Sequence, residues 1–175
     1  MKRLFPFLII ALMCSCSSVF HRPDKRDKYV GEYKLYVAKE RWGEFESSRW
    51  NSQTRSYEKD FIRDFDSDST RLLVVTKYDG DTTSLTFEIV APFNRAVLES
   101  HYSYVKGDDI FIKDGWDGMD CKGVGYDTKI TFDSVYLLND TIHFIKTSST
   151  NFFDNHELVN WQVIKERCYG VKVAN

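Results

Sequence analysis

From Ser84 to Val90 the chain alternates without a break: Leu85, Phe87 and Ile89 are apolar, and Ser84, Thr86 and Glu88 are polar. A period of two puts the two sets on opposite faces of a β-strand and fits no helix. Tyr33, Leu35 and Val37 repeat the pattern near the start of the chain, and Ile142 and Phe144 repeat it around His143. Short turn signals punctuate these segments. Asp79-Gly80 divides RLLVVTKY from TTSLTFEIV, Gly107-Asp108 divides NRAVLESHYSYV from DIFIK, and Asn139-Asp140 divides KITFDSVYLL from TIHFIKT. Such pairs tolerate left-handed backbone and join neighbouring strands as antiparallel hairpins. Consecutive hairpins build a meander, and a meander of about nine or ten strands must curl or fold over to hide its edges. The expected fold is all-β: an antiparallel meander closed as a small β-barrel or, failing that, a β-sandwich. Two segments are less constrained. Glu157–Arg167 fits both a helical and a strand period and is expected to be a terminal strand, whereas 43–60 is polar and reads as an irregular stretch or a long hairpin.

The chain opens differently. Lys2 and Arg3 precede an apolar run from Leu4 to Met13, followed by Cys14, Ser15 and Cys16. A run of about ten residues is half of the roughly 20 that span a bilayer, and it suits the core of a signal peptide. Met13-Cys14-Ser15-Cys16 resembles the lipobox of bacterial lipoproteins, in which a small residue precedes the modified cysteine. Ser15 makes Cys16 the expected lipid-bearing residue, and Met13 stands where that family prefers Leu. The resemblance implies a signal peptide over 1–15, a lipidated flexible spacer over 16–28 and a single β domain over 29–175. It also implies a lipid-anchored protein of the cell envelope, because several acyl chains, at about 0.8 kcal/mol per buried methylene, hold a domain stably on a membrane. No acidic cluster follows Cys16, so the periplasmic face is favoured over the cell surface. Gly31-Glu32-Tyr33 resembles the Gly-x-Trp opening of lipocalin-like barrels, with Tyr33 in place of Trp. That likeness implies an apolar pocket inside the barrel and a late basic residue over the first-strand aromatic, for which Arg167 is the candidate.

Chemistry is harder to read. The formal net charge of −2 and the lack of a basic stripe leave no expectation of nucleic-acid binding. In an oxidising compartment Cys121 and Cys168 are expected to form a disulfide, with two free thiols as the alternative. Asp64, Asp66 and Asp68 copy the opening of an EF-hand loop, but Ser69 and Val75 stand where its glycine and bidentate glutamate belong. These acids are expected at the end of a strand. Asp114, Asp117 and Asp120, with two glycines among seven residues, form an oxygen-rich run that could wrap a hard cation, but it matches no recognised cation loop and is expected to be a solvated turn region. Gly123-Val-Gly125 lacks the third glycine of a dinucleotide site, and His21, His101, His143 and His156 show no metal-ligand spacing, so no cofactor is expected. Trp42, Trp50 and Trp116 lie in polar surroundings and are the ligand-binding candidates, while Trp161 is expected in the core. Asp-Thr steps at Thr82 and Thr141 resemble a bacterial O-glycosylation tripeptide. The expected function is a non-catalytic binding role toward a small apolar ligand, a glycan or a protein partner. The alternative is an envelope glycan hydrolase drawing its acids from Asp114, Asp117, Asp120 or Glu99.

Overall fold

The computed structural model describes residues 24–173, without the side chains of Ser48 and of 68–70. The expected signal peptide, Cys16 and the first part of the spacer lie outside the described residues. Nine strands follow one another: β1 (Gly31–Asn51), β2 (Ser56–Lys77), β3 (Ser84–Val90), β4 (Val97–Lys106), β5 (Asp109–Ile112), β6 (Gly115–Cys121), β7 (Val124–Leu138), β8 (Thr141–Asp154) and β9 (Glu157–Lys172). They form one antiparallel sheet in the order β5-β4-β3-β2-β1-β9-β8-β7-β6. Every strand pairs with its neighbour in sequence, and β1 also pairs with β9; the single unpaired step is β5 to β6. Those two outer strands are joined by only Lys113 and Asp114, so the sheet must curl until its margins approach each other. The fold is all-β, a meander curled into a half-barrel with one open seam.

The turns follow from local chemistry. Asn139 and Asp140 both have positive φ, 48° and 58°, as the tight turn between β7 and β8 requires. Asn155 and His156 (50° and 64°) do the same between β8 and β9, and Lys122 and Gly123 (56° and 87°) between β6 and β7.

The curled part, the base, holds the core. Inward residues of β1, β2, β3, β5 and β8 meet there, among them Tyr33, Leu35, Leu73, Phe87, Ile110, Ile142 and Phe144. Tyr33, Leu35, Leu85 and Ile142 are fully buried, so side chains fill the interior, as in other small barrels. Gly170 on β9 leaves the room this requires, since a Cβ there would lie 3.0 Å from side-chain atoms of Ile142 and Tyr33.

The other part is an extension. β3 pairs only with Leu72–Lys77 of β2, and β2 and β1 then run on together to the turn at 52–55, with β9, β8, β7 and β6 alongside. The segment 43–60, read as a long hairpin or an irregular stretch, is hairpin throughout. Asp64–Asp68, expected at a strand end, lies inside β2, and Asp114–Asp120, expected as a loop, is mostly β6; cross-strand pairing on the extended sheet overrides the weak propensity of Asp and Gly. A bulge marks the border. Leu35 faces Arg71, but Val37 faces Asp68, so β2 carries one extra residue. Below it the odd-numbered residues Leu73 and Val75 point inward; above it the odd-numbered residues share the outer face, because one added residue exchanges the faces of a strand.

A short N-terminal strap closes the base. Arg26 is 8% exposed and donates to the backbone oxygens of Tyr78, Asp81 and Ser84, at 3.2, 2.7 and 3.2 Å. Tyr29 Oη donates to the Asp108 carbonyl at 2.7 Å, and Tyr33 Oη to the Tyr29 carbonyl at 2.7 Å. Residues 24–28, expected within a flexible spacer, therefore belong to the folded domain.

Two further expectations are corrected. Cys121 and Cys168 are both free. Cys121 ends β6 at the tip of the extension, whereas Cys168 faces Phe144 and Val37 in the base. From Phe144 to Phe153, which lies beside the β6–β7 tip, β8 runs about 30 Å, far beyond the roughly 7 Å that a disulfide can bridge. The cation over Tyr33 is Lys172, 5.8 Å from the ring centroid and directly opposite it in register, whereas Arg167 faces Ala38.

Candidate functional site

Two arrangements stand out, one inside the half-barrel and one on its outer surface. Inside, at the upper rim of the core, Lys146 on β8 reaches Glu99 on β4 at 2.6 Å and Glu166 on β9 at 2.8 Å. His101 Nε2 lies 3.1 Å from Glu99, and Arg71 Nη1 lies 3.5 Å from Glu166. Burial works against the ionised form of Glu99, but the hydrogen bond with His101 and the Lys146 ammonium outweigh it and hold its pKa down at about 2. Burial likewise opposes the charge on Lys146, and the Glu166 and Glu99 carboxylates overcome it and push its pKa up. Glu99 is thus ionised at neutral pH, whereas a general acid must still hold its proton there. Burial, aided by Glu166, pushes the Cys168 thiol up to about 12, so it stays a protonated, unreactive core residue. The cluster carries two acids against two bases, His101 aside. It is a balanced network that ties β2, β4, β8 and β9 across the half-barrel, and sequence reading missed it because its members are scattered over 95 residues and meet only in the fold.

On the outer face of the extension the pattern is different. Phe65 and Phe61 are 70% and 63% exposed. Trp42 faces Arg63 across the β1–β2 ladder, and Trp161 on β9 faces Glu44 on β1. Phe61 and Trp161 approach to 6.4 Å between centroids, the Arg63 guanidinium lies 5.4 Å from the centroid of the Phe65 ring, and Arg63 Nη2 donates to Glu40 at 2.5 Å. Trp161 Nε1 donates to Glu44 Oε2 at 3.2 Å. Trp42, Phe61, Glu40 and Arg63 line a cleft of about 260 Å³. Gly43 lets β1 and β9 lie close beside it, because a Cβ there would meet the Trp161 carbonyl at 2.4 Å. Aromatic rings interleaved with ion-paired side chains on an uncovered sheet offer apolar faces and hydrogen-bonding groups side by side.

The structure brings together only part of the expected site. Trp42 lies in the cleft. Trp161, expected in the core, is half-buried on the same face. Trp50, 56% exposed, sits near the β1–β2 tip edge-on to Tyr57, and Trp116, 70% exposed, lies on β6, four strands from β1 and about 19 Å across the sheet. Phe61 and Phe65 were not singled out beforehand, because their odd-numbered phase continues that of Leu73 and Val75 and only the bulge turns them outward. Asp117 and Asp120 project from opposite faces of β6, and Asp114 precedes it, so these acids do not converge. Thr82 is exposed in the β2–β3 turn, and Thr141 is half-buried. Among the described residues no group of three or more His, Cys, Asp or Glu side chains is placed to hold a metal ion, and no helix is long and apolar enough to cross a membrane. No family model matches the chain, and neither curated proteins nor solved structures give a significant match.

Proposed function

We propose that this chain is a lipid-anchored protein of the bacterial cell envelope with a non-catalytic binding role, and that it grips an envelope glycan through the outer face of its extension. The observation that carries the binding reading is the cluster of Phe61, Phe65, Trp42 and Trp161 on a sheet face that no other described residues cover as a layer. Exposed apolar patches of this kind mark binding surfaces. Interleaving with Glu40, Glu44 and Arg63 suits sugar rings, which present apolar faces and hydroxyl edges together. An apolar ligand inside the barrel has less support, since Tyr33, Leu35, Leu85 and Phe87 occupy that space.

The anchor reading rests on Lys2, Arg3, the apolar run and Cys16. It is supported by the strap, which brings the chain into the fold at the base, the end opposite the extension. Anchored there, periplasmic or otherwise, the aromatic face stands away from the lipid.

The test of binding is co-sedimentation of the full chain with isolated envelope polysaccharide, compared with a Trp42→Ala/Phe61→Ala/Trp161→Ala variant. Sedimentation lost in the variant, with its thermal transition kept, is the expected result. Equal sedimentation sinks the reading, and capture of protein rather than polysaccharide moves the partner to another class. The anchor is tested by detergent-phase partition, which Cys16→Ala is expected to abolish.

A further inference from the structure

We infer that the outer face takes an acidic polysaccharide, with Arg167 and Lys165 of β9 binding its carboxylates. The inference rests on the glycan reading above and names the class of glycan. Its first element is an aromatic ladder. Tyr36 of β1 stacks on Tyr169 of β9 at 4.8 Å and 10°, Tyr169 on His143 of β8 at 6.4 Å and 27°, and His143 on Tyr136 of β7 at 4.8 Å and 11°. Such cross-strand ring pairs are direct neighbours on one face of the sheet. Tyr136 ends the ladder and is 49% exposed.

Beside the ladder lies a groove of about 420 Å³, within the usual range for ligand sites. It exists for two reasons. Ala38 is the small residue in the row that it shares with Arg167 and Ile145, and β7 bulges at Ser134, whose φ is 54°. Arg167 borders the groove and is exposed. Among the described residues it makes no ion pair, and neither does Asp133, the acid that faces Ile145 on the same row. One row further along, Lys165 also makes no ion pair, because Glu40, which faces it in register, is held by Arg63. Thr147 lies beside Lys165 on β8, and Thr131 beyond it on β7, so Lys165 has hydroxyls along its row on that side.

The same face runs on from this groove to the cleft at Trp42 and Trp161. From Tyr169 to Trp161 is about 26 Å along β9, with aromatics at both ends and unpaired cations between. That length suits a chain of sugars, and the unpaired charge suits a chain bearing anions. A guanidinium presents a planar fork that matches a carboxylate in two parallel hydrogen bonds.

The test is isothermal titration of the full chain, held in non-ionic detergent, with linear galacturonic acid oligosaccharides and with the same oligosaccharides methyl-esterified. The ester keeps the sugar and removes the charge. The acid form is expected to bind about tenfold or more tighter than the ester, a difference of about 1.4 kcal/mol. Arg167→Gln is expected to weaken binding of the acid form about tenfold, Arg167→Lys less, and Arg167→Gln/Lys165→Gln to abolish the preference. Equal affinity for acid and ester overturns this inference and leaves the glycan reading standing. Equal affinity for inorganic polyphosphate also overturns it, since the face would then be a general polyanion surface. Binding that survives Arg167→Gln/Lys165→Gln but is lost in Trp42→Ala overturns it as well and moves the site to the tryptophan cleft. Failure of both oligosaccharides overturns it, and the sedimentation experiment then decides the broader reading by itself.

Discussion

In the base of β1, Tyr33, Leu35 and Val37 point inward and are 0%, 0% and 4% exposed. Further along the same strand the large side chain, Trp42, points the other way, and its neighbours Phe61 and Phe65 on β2 are more than half exposed. The two regions share strands and ladders, yet the base hides its aromatics inside a curl and the extension displays them on an open face. The bulge in β2 marks the change. A core is built where the sheet closes, and a surface is built where the strands outrun that closure. Aromatic residues are buried in the first place and exposed in the second.

Substitutions in the two regions should therefore differ in what they cost. Phe87→Ala, at a core position 2% exposed, is expected to destabilise the fold by about 3–5 kcal/mol in urea unfolding, and a loss below 1 kcal/mol would mean the base is not the stability centre. Lys146→Met leaves Glu99 and Glu166 facing each other without their ammonium and is expected to cost a similar amount, about 3–5 kcal/mol. The same network sets a pH dependence. Glu99 is held at about 2 against an ordinary value of 4.5, so the stability it supplies is present above 4.5 and is lost as pH falls toward 2. The urea midpoint should fall across that window, and should fall less in Glu99→Gln; parallel profiles would remove Glu99 from the account. Arg26→Ala strips donors from three carbonyls at the closed end, that of Ser84 buried, with an expected loss of about 1–3 kcal/mol in the same assay. Phe61→Ala, on the open face, is expected to change stability by no more than about 0.5 kcal/mol while weakening polysaccharide sedimentation. A large loss of stability there would mean that the extension has a core of its own.

The base was legible in the sequence because each of its signals is local. Leu85, Phe87 and Ile89 alternate cleanly, and Asp79-Gly80, Gly107-Asp108 and Asn139-Asp140 all stand at turns. The extension was only half legible. Asp64–Asp68 and Asp114–Asp120 have poor strand propensity, and their pairing comes from partners far away in the chain. The outward aromatic face could not be read because a bulge is one inserted residue with no sequence mark of its own; without it, Phe61 continues the inward phase of Leu73. The ionic network and the separation of Cys121 from Cys168 were hidden for the same reason, since both depend on where distant strands lie in register.

The strap has a mechanical consequence. If the tether enters at the base of β1 and a load is applied at the far end of the same sheet, tension runs lengthwise along β1, against both β2 and β9. The cross-strand hydrogen bonds lie perpendicular to that direction. Such a pull loads the bonds of the two long ladders in shear, many at once, instead of peeling them open one after another. Arg26, gripping three carbonyls beside the next turn, fastens the point where the force enters. A domain loaded in this way resists being drawn apart more strongly than its equilibrium stability alone would imply.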